Sequence, residues 1–208
     1  MHKSAPNPRT RRSRIGGFSM VELAVSMTVV LILSAIAIPS LMHSVRTYQL
    51  NSVAGSLSDI LKFTRFEAVR RNKTVPFQLQ QISQFGNDWV AWADIDSDGN
   101  LDATEKQVRI NGFVTLVTAG TPLPTAITAA LNAGGLTPTP ANPGPLQFDA
   151  RGAVRVNGTL TGNIYVFYVG AAPPNNPGDF GFRAVILLPT GATQIWTATA
   201  AGPWQRIA

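Results

Sequence analysis

Residues 18–38 read Phe-Ser-Met-Val-Glu-Leu-Ala-Val-Ser-Met-Thr-Val-Val-Leu-Ile-Leu-Ser-Ala-Ile-Ala-Ile, an apolar run with a single charge at Glu22, closed by Pro39. As a helix rising about 1.5 Å per residue, this run is roughly 30 Å long, the thickness of a bilayer's hydrocarbon core. Lys3, Arg9, Arg11, Arg12 and Arg14 precede it with no acidic residue among them. Such a basic flank stays in the cytoplasm and sends the rest of the chain across the membrane. A cleaved secretory signal is the competing reading, and it needs small residues at a cleavage site after the apolar run. Pro39-Ser40-Leu41-Met42 serves that purpose poorly, whereas Gly16-Gly17 lies before the run. A cut there leaves the hydrophobic helix in the mature protein.

The same leader accounts for the charge. The whole chain has 17 basic and 11 acidic residues and a pI of about 10.3, which by itself suggests a nucleic-acid partner. Without the leader, 12 basic residues face 11 acidic ones, so the mature chain is close to neutral. The basic character is therefore targeting signal rather than binding surface. Cysteine is absent and the only histidines are His2 and His43. That argues against disulfides, thiolate metal sites and histidine-based catalysis.

Beyond Pro39, where proline predicts a kink or local break, apolar residues recur at three- and four-residue spacing. Val45, Tyr48, Val53, Leu57, Ile60, Leu61, Phe63, Phe66 and Val69 predict an amphipathic helix with one face for a sheet to cover. Arg70, Arg71 and Lys73 lie at its end, where cations suit the negative end of the helix dipole. The period then changes to two. Strands are expected over 74–81, 89–94, 107–118, 162–169, 182–188 and 193–197. The fold class is α+β: a long N-terminal helix, transmembrane in its first half, packed on an antiparallel β-sheet head. Its expected divisions are a leader at 1–17, a membrane and assembly helix at 18–39, its amphipathic continuation at 40–73, and a β-rich head at 74–208. Two Pro-, Thr- and Asn-rich stretches, 119–145 and 170–179, read as long loops. A short helical turn is expected within the first, at 126–131.

Gly17-Phe18-Ser19-Met20-Val21-Glu22 resembles the type IV prepilin signature: a basic leader, a glycine, an aromatic residue and a glutamate at the fifth mature position. The resemblance implies that a prepilin peptidase of the inner membrane cuts after Gly17 and N-methylates Phe18. It also implies that Glu22 acts in assembly. The physical argument runs parallel. A carboxylate in an apolar helix costs on the order of 3 kcal/mol and needs a partner, and cleavage creates one in the cationic amine of Phe18. The alternative is that Glu22 reaches interfacial water. Thr64-Arg65-Phe66-Glu67-Ala68-Val69-Arg70-Arg71-Asn72-Lys73-Thr74-Val75 is similar to the helix end and first strand of the type II secretion protein H and FimT group of minor pseudopilins and pilins. Trp92-Ala93-Asp94-Ile95-Asp96 and Phe148-Asp149-Ala150-Arg151-Gly152 resemble later segments of that group.

This resemblance implies a minor pseudopilin that takes part in pseudopilus assembly and protein secretion, or else a FimT-like minor type IV pilin of pilus biogenesis or DNA uptake. The implied partners are the peptidase, other pseudopilin or pilin subunits and the inner membrane, with the head on the periplasmic side. Neither reading makes the chain an enzyme, and no cofactor is required.

Two features stand beside that reading. Asp94, Asp96, Asp98, Asn100, Asp102 and Glu105 fit the spacing of an EF-hand calcium loop, with Gly99 at the sharp turn. Strand-like flanks argue instead for a hairpin turn, so a structural calcium ion is an expectation carried by the spacing alone. Nucleic acid stays open as a partner only through Arg151, Arg155 and Arg206, which suffice for weak, salt-sensitive phosphate contacts. Their other reading is as strand-edge charges that deter edge pairing. FimT-like members that assist DNA uptake resemble one another in a Gly-Arg-x-Arg motif, and here Gly191-Ala192-Thr193-Gln194 has no arginine at that place.

Overall fold

The computed structural model describes residues 17–82, 88–117, 127, 136–139 and 146–207. The leader up to residue 16 and most of 119–145 lie outside the described residues. Within them the chain forms two units, one ending at Met42 and the other running from His43 to the C-terminus.

One helix, α1 (Met20–Arg71), carries the N-terminal segment through Pro39 and on to the head. The local break expected at Pro39 is absent. A proline removes one amide donor, and the turns on either side keep the helix going. In the first unit large apolar residues are exposed around the helix, among them Met20, Leu23, Leu31, Ile32 and Ile36. The segment is long and apolar enough to cross a membrane. Two of its hydroxyls are bonded within the helix, as Ser26 Oγ donates to the Glu22 carbonyl (2.7 Å) and Thr28 Oγ1 to that of Ala24 (2.9 Å). Hydroxyls bonded in this way are compatible with a solvent that offers no partners.

In the second unit α1 buries Leu50, Ala54, Leu57, Ser58, Ile60, Leu61, Thr64, Glu67 and Ala68. This corrects the expected face, because Val45, Tyr48, Phe66 and Val69 are exposed. Tyr48 and Phe66 each lie nine positions from Leu57. At about 100° per residue that places them on the opposite side of the helix. Small and hydroxyl-bearing residues complete the inner face, with Thr64 Oγ1 donating to the Ile60 carbonyl (2.8 Å) and Ser58 Oγ 2.9 Å from Thr193 Oγ1. Asn72 ends the helix at φ 51°, with its N–H on the Val69 carbonyl and that of Lys73 on the Ala68 carbonyl. This is a Schellman cap, with asparagine at the left-handed position.

Among the described residues twelve strands follow: β1 (Val75–Gln81), β2 (Trp89–Ala93), β3 (Gln107–Ile110), β4 (Val114–Leu116), β5 (Leu136–Thr139), β6 (Leu146–Phe148), β7 (Val154–Val156), β8 (Thr159–Leu160), β9 (Ile164–Ala171), β10 (Phe182–Leu187), β11 (Thr193–Ala198) and β12 (Gln205–Arg206). One sheet has the order β3-β2-β1-β6-β7-β8 and the other β12-β11-β10-β9-β4. Pairing is antiparallel except where β5 runs parallel to β9 over Ile164–Phe167, beside the stretch Val169–Ala171 that pairs with β4.

The strand expected over 107–118 is two strands in different sheets, because Gly112 (φ +71°) turns the chain between β3 and β4. Strand β5 lies inside the expected 119–145 loop. It contains Pro138, which has no ladder donor and so hides the strand in the sequence. The helical turn expected at 126–131 is described only at Ile127, which is helical and buried.

The main core joins the helix to both sheets, through Leu57, Ile60, Leu61, Phe77, Phe148, Phe167 and Leu187 among others. A second cluster lies on the other face of β9 and β10, where Val166, Tyr168, Ala184 and Ile186 meet Val117, Ile127 and Trp204. Leu57→Ala is expected to cost about 2–5 kcal/mol in denaturant unfolding of the full chain in detergent. Tyr48→Ala is expected to stay within about 0.5 kcal/mol. The reverse order would mean that the other helix face is the buried one.

Candidate functional site

Gly17 and Phe18 precede the helix in extended, exposed chain, and a side chain added at Gly17 would meet nothing within 4 Å. Ser19 caps α1, its hydroxyl accepting the Glu22 N–H at 3.1 Å. Glu22 therefore stands in the first turn, where the positive end of the helix dipole favours a carboxylate. The sequence pattern Ser-x-x-Glu carries this capping signal, which the sequence reading did not use. Glu22 is exposed on its own chain.

The acidic loop connects β2 to β3. Its flanks are strands, as expected, and they are paired up to its mouth, where Ala93 N–H donates to the Lys106 carbonyl (3.1 Å). Asp94 is buried, and its Oδ2 accepts from Gly99 N–H (3.1 Å) and Gln78 Nε2 (3.2 Å). Asp96 Oδ1 accepts from Asp98 N–H (3.3 Å), and Asp98 Oδ1 from Asn100 N–H (2.7 Å). Glu105, also buried, ties the two ends together. Its Oε1 accepts Ile95 N–H at 2.7 Å and its Oε2 accepts Asp102 N–H at 3.3 Å. Burial pushes the Glu105 carboxyl upward, aided by the charges of Asp94 and Asp96 and opposed by those two N–H groups. Asp98 is held low by the Asn100 side-chain amide. One carboxylate oxygen from each of Asp94, Asp96 and Asp98 lies within 4.8 Å of the other two.

Of the three candidate arginines, Arg151 and Arg155 line one cavity with Lys73, and Arg206 lies apart from them. Arg206 lies on β12 in the second sheet, while Arg151 is in the β6–β7 turn and Arg155 is on β7. Arg155 is not an edge charge, since β7 pairs with β6 on one side and β8 on the other. Its Nε donates to Asp149 Oδ2 (3.2 Å) and its Nη1 to the Gly158 carbonyl (2.8 Å). Asp149 Oδ1 also accepts from Arg151 N–H and Ala153 N–H, both at 2.9 Å. Burial alone would raise the Asp149 carboxyl, but these N–H groups and Arg155 outweigh it and hold the carboxyl low.

Two of the segments that carry the family resemblance, 64–75 and 148–152, do converge. Arg65 Nε donates to the Gly152 carbonyl (3.1 Å), joining the helix to the β6–β7 turn. Gly191, in the β10–β11 turn, is so close to this pair that an added Cβ would collide with the Gly152 carbonyl. Both glycines have positive φ, 77° and 78°, so close approach and backbone conformation each require glycine. Two residues further along the helix, buried Glu67 accepts from Arg70 at Nε (3.0 Å) and Nη2 (2.6 Å) and from Arg71 Nε (2.9 Å). The Arg70 hydrogen bond is the main reason its carboxyl lies low. Burial opposes, and Arg71 and the two positive charges add to the lowering. Arg70 and Arg71 thus do more than answer the helix dipole: they neutralise a buried carboxylate.

A family model described as type II transport protein GspH matches residues 53–191. The match takes in the acidic loop, Arg65, Glu67, the Asp149–Gly152 turn and Gly191, whereas Gly17, Phe18 and Glu22 lie outside it. No curated protein and no solved structure matches the chain.

Glu67 and Asp149, both held low, stabilise the fold fully above the unfolded-state carboxylate values. That stability is lost as pH falls toward and through their folded values, because the unfolded chain then binds more protons. The full chain in detergent is expected to melt progressively lower on acidification below about pH 5. Glu67→Gln should flatten part of that slope; an unchanged slope would show that the Arg70–Glu67–Arg71 cluster contributes nothing.

Proposed function

The chain belongs to the type II transport protein GspH family, and on that premise we propose that it is a minor pseudopilin of a type II secretion system. The family has a pseudopilin-like, structural role, and no chemistry is assigned to this chain. The observation that carries the finer reading is the division of α1. An exposed apolar half fits lipid or neighbouring subunits, and an amphipathic half is built into a head.

In this reading a prepilin peptidase removes the leader between Gly17 and Phe18 and methylates the new amine. The helix holds the chain in the inner membrane with the head in the periplasm. On assembly the exposed residues from Phe18 to Ile38 pack against other subunits, which replace lipid around them. Glu22, placed in the first helical turn without an ion pair in its own chain among the described residues, pairs with the Phe18 amine of a neighbouring or the same subunit. The head supplies surface for other pseudopilins. A pilus role with DNA binding has less to rest on, since Arg155 is taken up by Asp149 and Arg206 lies on the other sheet.

A bulky replacement, Gly17→Val, is expected to leave the precursor uncleaved, seen by mass spectrometry as retention of the leader. Normal processing would refute the prepilin reading. Glu22→Ala should be processed normally yet fail to enter the filament. Deletion of the gene is expected to abolish protein secretion. Intact secretion with loss of twitching or transformation would assign the chain to a type IV pilus instead.

A further inference from the structure

The loop between β2 and β3 contains a buried polar atom that the fold leaves unanswered. Asp94 is 1% exposed, and while its Oδ2 takes two hydrogen bonds, its Oδ1 has no partner. A carboxylate oxygen out of water with neither donor nor cation is costly. The Gly99 N–H that bonds Oδ2 belongs to the loop itself, so the carboxylate faces into it. There it meets Asp96 and Asp98, with one oxygen of each of the three within 4.8 Å of the others. Two oxygens on one calcium ion, each at 2.3–2.6 Å, are separated by at most about 5 Å. The spacing therefore suits a single ion.

Nothing else nearby balances the charge. Among the described residues, no ion pair joins Asp94, Asp96, Asp98, Asp102 or Glu105 to a basic side chain. Lys106, next in sequence, has its amine 4.6 Å from the centre of the Phe63 ring. We propose that residues 94–105 bind one calcium ion, held by the carboxylates of Asp94, Asp96 and Asp98, with Asp102 and Glu105 completing an all-oxygen shell. Asp102 and Glu105 lie outside the three-carboxylate group, and each Glu105 oxygen keeps a lone pair beside its N–H bond with which to bind the ion once the loop draws in around it. The donors are hard oxygens with no nitrogen or sulfur, which disfavours zinc and copper. An irregular, carboxylate-rich loop suits calcium better than magnesium, which demands a tight octahedron and keeps its waters. The hairpin supplies here what flanking helices supply elsewhere, because the β2–β3 pairing holds the two ends of the loop together.

The test uses the purified full chain in detergent, titrated calorimetrically with calcium chloride or magnesium chloride and melted in calcium or chelator. One calcium per chain is expected. At calcium about a hundredfold above Kd, the Tm should rise by roughly 5–10 °C. Asp96→Asn, an exposed position whose change leaves the core intact, should weaken calcium binding about tenfold or more. Asp59→Asn, on the helix surface, should leave it unchanged. The proposal is overturned by the absence of saturable binding up to about 10 mM calcium with equal melting in calcium and chelator. It is equally overturned by magnesium binding as tightly as calcium, or by calcium affinity that Asp96→Asn does not alter.

Discussion

A single helix, Met20–Arg71, has to be stable in two different surroundings, and the composition of its two parts follows from that. In its first part the helix bonds its backbone internally, and large apolar side chains are exposed on every side of it. Ser26 and Thr28 are admitted because each hydroxyl returns to a carbonyl one turn back. In the head the same helix needs only one apolar stripe, and that stripe need not be made of large residues. Ala54, Thr64 and Ala68 are as buried as Leu57. Small side chains allow strands from both sheets to approach the helix closely.

This explains why element types were easier to read from the sequence than element faces. The apolar run, the return of apolar residues after Pro39 and the strands at β1, β2, β9, β10 and β11 all announce themselves by period and composition. The inner face of α1 does not. Tyr48 and Phe66 look like core residues because they are large and apolar, and they lie opposite Leu57. Strands β6, β7, β8 and β12 are two or three residues long, too short for a period of two to show, and they exist because partner strands hold them. The division of 107–118 between two sheets depends on Gly112, whose positive φ is a tertiary fact. Of the candidate sites, the positions of Gly17, Phe18 and Glu22 relative to the helix start were legible in outline, though not the Ser19 cap.

The residues that carry the family resemblance turn out to be structural. Arg65 and Gly152 come from two of the resembling stretches and Gly191 from outside them, and the three meet where the helix, the β6–β7 turn and the β10–β11 turn touch. Glu67 sits two residues beyond Arg65, neutralised by Arg70 and Arg71. A buried carboxylate is expensive unless paired and hydrogen-bonded, so glutamate and both arginines form one unit near the end of the helix. A motif with this physics specifies how a head is built on a helix. It carries no information about what the assembled filament moves, and for that reason the choice between a secretion pseudopilus and a pilus rests on phenotype.

Charged residues in the head divide by whether the fold gives them a partner. Arg155 looked in sequence like a free cation available to phosphate, but Asp149 and the Gly158 carbonyl occupy it. Glu67 is satisfied in the same way from the opposite side of the charge ledger. The 94–105 loop is different in kind. Among the described residues its carboxylates are bonded only to amide N–H groups, one buried oxygen of Asp94 has no partner, and no ion pair reaches them. An amide N–H offsets only part of a carboxylate's charge, and mutual repulsion grows as the loop closes. Spacing alone could not separate a turn from a metal site, since both use Asp, Asn and Gly. The unpartnered oxygen is what favours the proposed ion over a plain turn, because a loop that needs only turn geometry gains nothing from burying a carboxylate and leaving it unsatisfied.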